Sequence, residues 1–147
     1  MAMRKLAVLS LSLLAAAVWA LPGVAARKAT GGELMAFKRA LVVARVAPGQ
    51  RALLHPACVS TADKRFARLE LWPLEGRNVT DEPAAVYLRR DGRGWRKVSA
   101  LRRLLFFAKP VPITLRVWRD LNRRSCRSTR ATVQRLFRAG SVAAVRL

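Results

Sequence analysis

Apolar and polar residues alternate along two stretches of this chain, in the pattern of a half-buried β-strand. In residues 65–72, Ala67, Leu69 and Leu71 fall on one side and Arg68 and Glu70 on the other, before Pro73 ends the pattern. Residues 111–119 alternate strictly, with apolar side chains at every second position from 111 to 117. Both stretches predict strands, and the second has the most regular pattern in the chain.

A β-hairpin is predicted where residues 86–90 and 95–98 flank the tetrapeptide Asp91-Gly92-Arg93-Gly94. Asp-Gly and the second glycine supply residues that adopt positive φ angles without steric cost, as tight hairpin turns require. Residues 97–109, after the hairpin, carry leucines at helical spacing before Pro110 and predict one amphipathic helix. Residues 75–83, before the hairpin, are rich in turn formers and predict an exposed loop.

For two further segments, residues 34–46 and 128–139, the sequence does not decide between helix and strand. Leucine and phenylalanine spacing in residues 34–46 fits a helix, yet the β-branched residues at its end favour a strand over 38–46. Residues 51–55 predict a short strand closed by Pro56. Residues 128–139 fit either a returning antiparallel strand or a short helix ended by Gly140.

Together these elements give five to seven short strands and one short amphipathic helix, which predicts a mainly β fold. We expect an antiparallel β-sandwich, with an α+β arrangement as the alternative. The order Cys58, Trp72, Cys126 resembles the Cys…Trp…Cys spacing of immunoglobulin-type sandwiches, in which the Trp packs on a disulfide between sheets. The tyrosine of that pattern, two residues before the second Cys, is replaced by Arg124, so the resemblance covers three positions and assigns no family.

The first 26 residues have the composition of a secretory signal peptide. Arg4 and Lys5 precede an apolar run over residues 6–20, a Pro-Gly turn and the small residues Val24-Ala25-Ala26. The run is shorter than the roughly 20 residues a membrane-spanning helix needs, so no transmembrane span is expected in the mature chain. Cleavage is predicted after Ala26, followed by a flexible leader over 27–33 and a single globular domain over 34–147. The protein is predicted to be secreted, either to the extracellular space or to the periplasm.

Charge is the most unusual property of the composition. The 147 residues contain 29 Lys and Arg against 8 Asp and Glu, a formal net charge of +21, and removing residues 1–26 leaves +19. Such a field repels itself and destabilises the compact state, which indicates that an anionic partner or surface normally screens it.

Two cysteines and one histidine limit the covalent and metal chemistry. In an oxidising compartment Cys58 and Cys126 predict one intramolecular disulfide. Two cysteines and His55, with no CxxC or HxxxH spacing, fall short of a four-ligand zinc site, so neither a metal nor a cofactor is expected.

Candidate general bases are few. His55 lies three residues before Cys58, and in an extended chain this spacing directs the two side chains to opposite faces. The acids are scattered along the chain, so no catalytic residue is assigned, and a secreted hydrolase acting through carboxylates stays an alternative.

Arginine and tryptophan interleave in a way that fits recognition of anions. A guanidinium group can bind two oxygens of a phosphate, sulfate or carboxylate group at once, and exposed aromatic rings stack on bases or sugars. Trp118 is expected on the outer side of its strand. The predicted binding residues are Arg89, Arg90, Trp95, Arg96, Arg102, Arg103, Arg116, Trp118 and Arg119.

The sequence therefore predicts an exported, strongly basic, non-catalytic protein that binds an anionic partner: an acidic polysaccharide, an anionic lipid surface, a nucleic acid or an acidic protein. The other alternative is a secreted protein-interaction module with an exposed apolar patch. Asn78-Val79-Thr80 fits the N-glycosylation acceptor pattern in a predicted loop, which makes Asn78 a candidate for modification.

Overall fold

The structure is a computed structural model that describes residues 25–80, 82–98 and 113–147. Within these ranges the chain forms β1 (Arg27–Lys28), α1 (Gly31–Val43), β2 (Arg51–Val59), β3 (Phe66–Glu75), β4 (Asn78–Val79), β5 (Ala84–Asp91), β6 (Gly94–Val98), α2 (Leu115–Leu121), a 3-10 turn (Arg124–Cys126), α3 (Arg130–Arg138) and β7 (Val145–Arg146). The predicted signal peptide, apart from residues 25 and 26, lies outside the described residues.

The described strands form one antiparallel sheet in the order β1-β2-β3-β5-β6, with β4 added to β3 and β7 to β2. The predicted mainly β, antiparallel class is confirmed. The layers that a sandwich would obtain from a second sheet are supplied here by helices, as in the α+β alternative: α1 covers one face, and α2, the 3-10 turn and α3 cover the other.

Burial on both faces distinguishes β3 from the half-buried strand that its alternation predicts. Ala67, Leu69 and Leu71 pack under α1, as the pattern indicates. Arg68 and Glu70, expected to face solvent, are 5% and 3% exposed because the segment after α2 covers them. Their charges are compensated by an ion pair of 2.9 Å between Arg68 Nη2 and Glu70 Oε1.

The hairpin β5-β6 is confirmed, with its two strands paired from Tyr87–Val98 to Asp91–Gly94. Gly94 has a φ of 112°, a conformation that L side chains rarely adopt, which explains the glycine at that position. Lys97 and Val98, predicted to begin a helix, belong to β6, and residues 99–109 of that helix lie outside the described residues. The predicted loop over 75–83 contains a tight turn at Gly76 and the short strand β4.

Residues 38–46, predicted as a strand, lie mostly in α1, so that prediction is wrong. Thr30 and Glu33 form a capping box that starts the helix. Phe37, Ala40 and Leu41 then provide a buried stripe at helical spacing. The β-branched Val42 and Val43 are exposed at its end, so their strand preference has no sheet partner to satisfy. The segment 27–33, predicted as a leader, contains β1 and the first turn of α1.

Residues 111–119 provide the second correction, because their described part forms α2 in place of a strand. Thr114 caps the helix by accepting a hydrogen bond from Val117 N. Ile113, Val117 and Leu121 recur every fourth residue and are all buried against the sheet, so the same residues satisfy a helical period. Residues 130–138 form α3, which settles the open choice there in favour of the helix.

The Cys58–Cys126 disulfide is confirmed and joins β2 to the 3-10 turn, with Cα atoms 5.8 Å apart. It lies in a cluster with Phe66, Tyr87 and the buried side of α2. Trp72 lies in a separate cluster with Leu53 and Val133, so it does not share the core of the bridge as in immunoglobulin-type sandwiches. Pro56, expected to close the strand, sits at an irregularity within β2, which continues to Val59.

Candidate functional site

A groove of about 940 Å³ runs between α1 and the β5-β6 hairpin, and we call it the α1–hairpin groove. It exists because α1 crosses the sheet beside β6, the edge strand of the described sheet. The α1 wall is formed mainly by Ala36, Arg39, Ala40, Val43 and Ala44, and the hairpin wall by Arg90, Arg93, Gly94, Trp95, Arg96 and Lys97.

Trp95 is the aromatic residue of this groove. Its ring meets Phe37 of α1 edge to face, with centroids 4.8 Å apart and an interplanar angle of 85°. The contact fixes one side of the indole against the core, while the residue remains half-buried and lines the groove. A ring held in this way can offer a stacking surface without losing further conformational freedom on binding.

Four exposed cations surround Trp95: Arg39 on α1 and Arg90, Arg93 and Lys97 on the hairpin. None of the four forms an ion pair with a carboxylate among the described residues. Asp91, the hairpin's acid, is already occupied, since its Oδ2 lies 3.1 Å from Arg96 Nε and its Oδ1 accepts from Arg93 N at 2.8 Å. The groove therefore presents four positive charges that no described carboxylate neutralises.

Glu33, at one end of the groove, does not offset these charges. Its two carboxylate oxygens accept hydrogen bonds from Arg27 at 2.7 and 2.8 Å, and Oε2 also accepts from Thr30 N. The hydrogen bonds from Arg27 are the largest cause lowering the pKa of Glu33 from 4.5 to about 2, against an opposing effect of burial. The carboxylate thus stays ionised and bound at neutral pH.

Replacing Glu33 with Gln should lower stability at neutral pH and flatten the loss of stability as pH falls from 4.5 to about 2. Because the folded-state pKa is depressed, the ionised carboxylate stabilises the protein above its ordinary pKa and loses this effect as it is protonated. Glutamine retains the capping oxygen, so the change isolates the charge. Urea unfolding at a series of pH values measures it, with Glu75→Gln, an exposed acid, as the control. Identical pH profiles for Glu33→Gln and the unaltered protein would contradict the assignment.

The predicted binding residues are distributed over several surfaces. Arg90, Trp95 and Arg96 line the groove, although the guanidinium of Arg96 is held by Asp91. Arg89 lies over the Phe66 ring at 5.8 Å, on the face of the sheet away from α1. Arg102 and Arg103 lie outside the described residues.

Arg116, Trp118 and Arg119 lie on the exposed side of α2, whereas a strand had been expected to carry them. Trp118 is 42% exposed, in line with the prediction that it faces outward. Successive helix residues are separated by about 100°, so the three side chains are spread around that exposed side rather than aligned in one row. Leu115, 56% exposed and three residues before Trp118, adds an apolar neighbour to it.

Sequence reasoning missed Arg39 and Arg93 as partners of Trp95. Arg39 was assigned to a strand, and only the helical period of Phe37, Ala40 and Leu41 places it on the open side of α1. Arg93 occupies the hairpin turn, where turn chemistry explains the residue without reference to a site. The basic residues next to Trp95 in the sequence were the only available signal of a site, because the sequence does not show that α1 packs beside the hairpin.

The remaining chemistry in the described residues is sparse. They contain no group of three or more His, Cys, Asp or Glu arranged to hold a metal ion. His55 is half-buried, and burial followed by the nearby Lys28 charge lowers its pKa. Asn78 is exposed at the start of β4, and its glycosylation stays a prediction.

No protein-family model, no curated protein and no solved structure matches this chain. Over the part of the chain that is described, none of the helices is both long enough and apolar enough to cross a membrane. The Cys58–Cys126 disulfide is compatible with an extracellular location.

Proposed function

We propose that this protein is an exported, non-catalytic binding protein that holds a linear anionic polymer in the α1–hairpin groove. The observation that carries the proposal is the half-buried Trp95 surrounded by Arg39, Arg90, Arg93 and Lys97, none of which is neutralised by a described carboxylate. Sulfated or uronic polysaccharides and nucleic acids combine regularly spaced anions with ring faces, which is the chemistry that this groove complements.

Several features support a binding role. Glu33 is the only carboxylate among the described residues that line the groove. It is held by Arg27 and the N-terminus of α1, so it is not available as a free general base. Bringing a polyanion against the four cations would also relieve their mutual repulsion, which adds to the affinity of a partner and to the stability of the folded chain.

Exposed apolar side chains favour the second candidate function, a secreted protein-interaction module. Val43 is 85% exposed at the end of α1, and Leu115 and Trp118 expose neighbouring apolar surface on α2. Isolated exposed apolar residues are common on soluble proteins, so these patches carry less weight than the charged groove.

Binding to single-stranded DNA and to a sulfated polysaccharide, measured by fluorescence anisotropy over a range of salt concentrations, tests the proposal. We expect log affinity to fall linearly with log salt for the DNA. The double variant Arg90→Gln/Arg93→Gln should weaken binding and reduce the slope by about 1.4, because each phosphate contact contributes about 0.7 for a single strand. Arg135→Gln/Arg138→Gln, on α3 outside the groove, removes the same charge and is the matched control.

The outcomes separate the candidates. Equal effects of the two double variants would mean that affinity follows net charge and not the groove. A larger effect of Arg116→Gln/Arg119→Gln would move the contact to α2. Affinity that does not change with salt would contradict polyanion binding and favour the apolar protein-interaction surface.

A further inference from the structure

Ala26 is built into the core, although sequence reasoning places it at the end of a segment to be removed. It is 7% exposed, whereas Ala25 before it is exposed. Its side chain belongs to the cluster that contains the Cys58–Cys126 bridge, Val117 and Leu121. Cleavage after Ala26 would take a packed residue out of this cluster.

Asp120, on α2, faces the same region and has incomplete partners. It is 5% exposed, and its Oδ2 accepts hydrogen bonds from Ser60 Oγ at 2.7 Å, Thr61 N at 2.9 Å and Ala62 N at 3.3 Å. Its Oδ1 is buried and accepts no hydrogen bond from the residues that the structure describes. The Nε of Arg123 is 4.0 Å from Oδ1, at the outer limit of an ion pair.

The environment of Asp120 favours a further cation. The carboxylate lies in the last turn of α2, where the partial negative charge of the helix end opposes it. Burial raises the pKa of Asp120, but hydrogen bonds from Ser60, Thr61, Ala62 and the backbone N–H of Ala26 lower it below its ordinary value. Ala26 also shares its buried cluster with Val117 and Leu121, which lie on the same helix as Asp120. The Ala26 nitrogen therefore faces the region of this carboxyl group, and as an amide it offers one proton in a fixed direction.

We infer that the processing site is the Ala25–Ala26 bond and that the new α-ammonium of Ala26 forms a buried ion pair with Asp120. A signal peptidase adds water across this bond, leaving Ala25 with a carboxylate and Ala26 with a protonated amine. That amine has three protons and a positive charge, so it can donate a hydrogen bond to Oδ1, which no described donor does, in addition to the long contact with Arg123. The inference rests on the export proposed above and corrects the predicted site by one residue.

The sequence is compatible with this position, since Gly23 and Ala25 provide small residues three and one positions before the cut. Because Ala26 is buried in the folded protein, cleavage has to precede folding, as it does for a chain processed during translocation. The terminus then enters the core as the disulfide cluster assembles.

Intact-mass analysis of the secreted full-length gene product is the first test. A mature chain that begins with Ala26 supports the inference. A chain that begins with Arg27, or at any other residue, overturns it and leaves export in place. Secreted material that retains the apolar run overturns both the inference and removal of a signal peptide.

The ion pair is tested by labelling the α-amino group of the secreted protein with an amine-reactive reagent near neutral pH, followed by mass spectrometry. The Asp120 carboxylate stabilises the protonated form of the α-amino group, so removing it lowers the pKa of this amine. A decrease of one pKa unit raises the reactive unprotonated fraction about tenfold, so Asp120→Asn should label about tenfold faster than the unaltered protein. Asp63→Asn, which removes a carboxylate paired with Arg65, is the control and should label at the unaltered rate.

If Asp120→Asn is not secreted in folded form, the unaltered protein is compared in native buffer and in urea. Protection that is lost in urea supports a terminal amine buried in the folded core, and a pKa of this amine above its ordinary value, measured from the pH dependence of labelling in native buffer, supports the ion pair. Equal labelling rates in both conditions, or in Asp120→Asn and the unaltered protein, overturn it.

Discussion

Replacing Glu70 with Gln should lower the free energy of unfolding by about 3–5 kcal/mol, the usual cost of removing one partner of a buried ion pair. Arg68 is 5% exposed and would keep its charge without a carboxylate. Its Nη1 still donates to the carbonyl oxygen of Cys126, but its Nε already has no hydrogen-bond partner within the described part of the chain. The substitution also weakens a second interaction, because Ser128 N donates a hydrogen bond to Glu70 Oε2 at 3.0 Å.

Chemical denaturation at neutral pH measures this effect, with Asp63→Asn as the matched control. Asp63 and Arg65 form an ion pair at the surface, where solvent screens the interaction, so the control should change stability little. The double variant Arg68→Met/Glu70→Leu should recover most of the loss, because it removes both buried charges. A loss for Glu70→Gln no larger than that for the control would contradict the burial of the pair.

Opening the Cys58–Cys126 disulfide should destabilise the protein by about 4 kcal/mol in the chain-entropy model for a sequence separation of 68. For a domain of this size we expect the melting temperature to fall by about 10–20 °C. The self-repulsion of the basic chain makes this constraint more important, because it favours expanded states.

Thermal unfolding with and without reductant measures the effect of the disulfide. The Cys58→Ala/Cys126→Ala variant is the control, since it should melt at the lower temperature and show no response to reductant. Stoichiometric labelling of both thiols in native secreted protein, without reductant, would contradict the bridge.

The groove illustrates why the site was only partly foreseen. Trp95 and Arg90 were singled out because aromatic and basic residues adjoin in the sequence, and the hairpin that carries them follows from local turn chemistry. Arg39 lies more than fifty residues earlier, and it reaches the same groove only because Phe37 packs against Trp95. No local pattern contains that contact.

The sequence by itself determined the features that depend on local chemistry or on counting. These are the hairpin turn, the alternation of β3, the antiparallel mainly β class, the uncompensated positive charge and the pairing of the only two cysteines. Each follows from the allowed backbone of a few residues or from the absence of another partner.

Tertiary packing decided the rest, because the same residues satisfied two periods. Ile113, Val117 and Leu121 alternate as a strand would and also recur as a helix face, and the buried cluster around the disulfide selects the helix. Val42 and Val43 prefer strands, but Phe37, Ala40 and Leu41 form a helical stripe that is buried against the sheet. Arg68 and Glu70 look solvent-exposed in sequence and are buried only because the bridged segment crosses them, since burial depends on what the rest of the chain places above a residue.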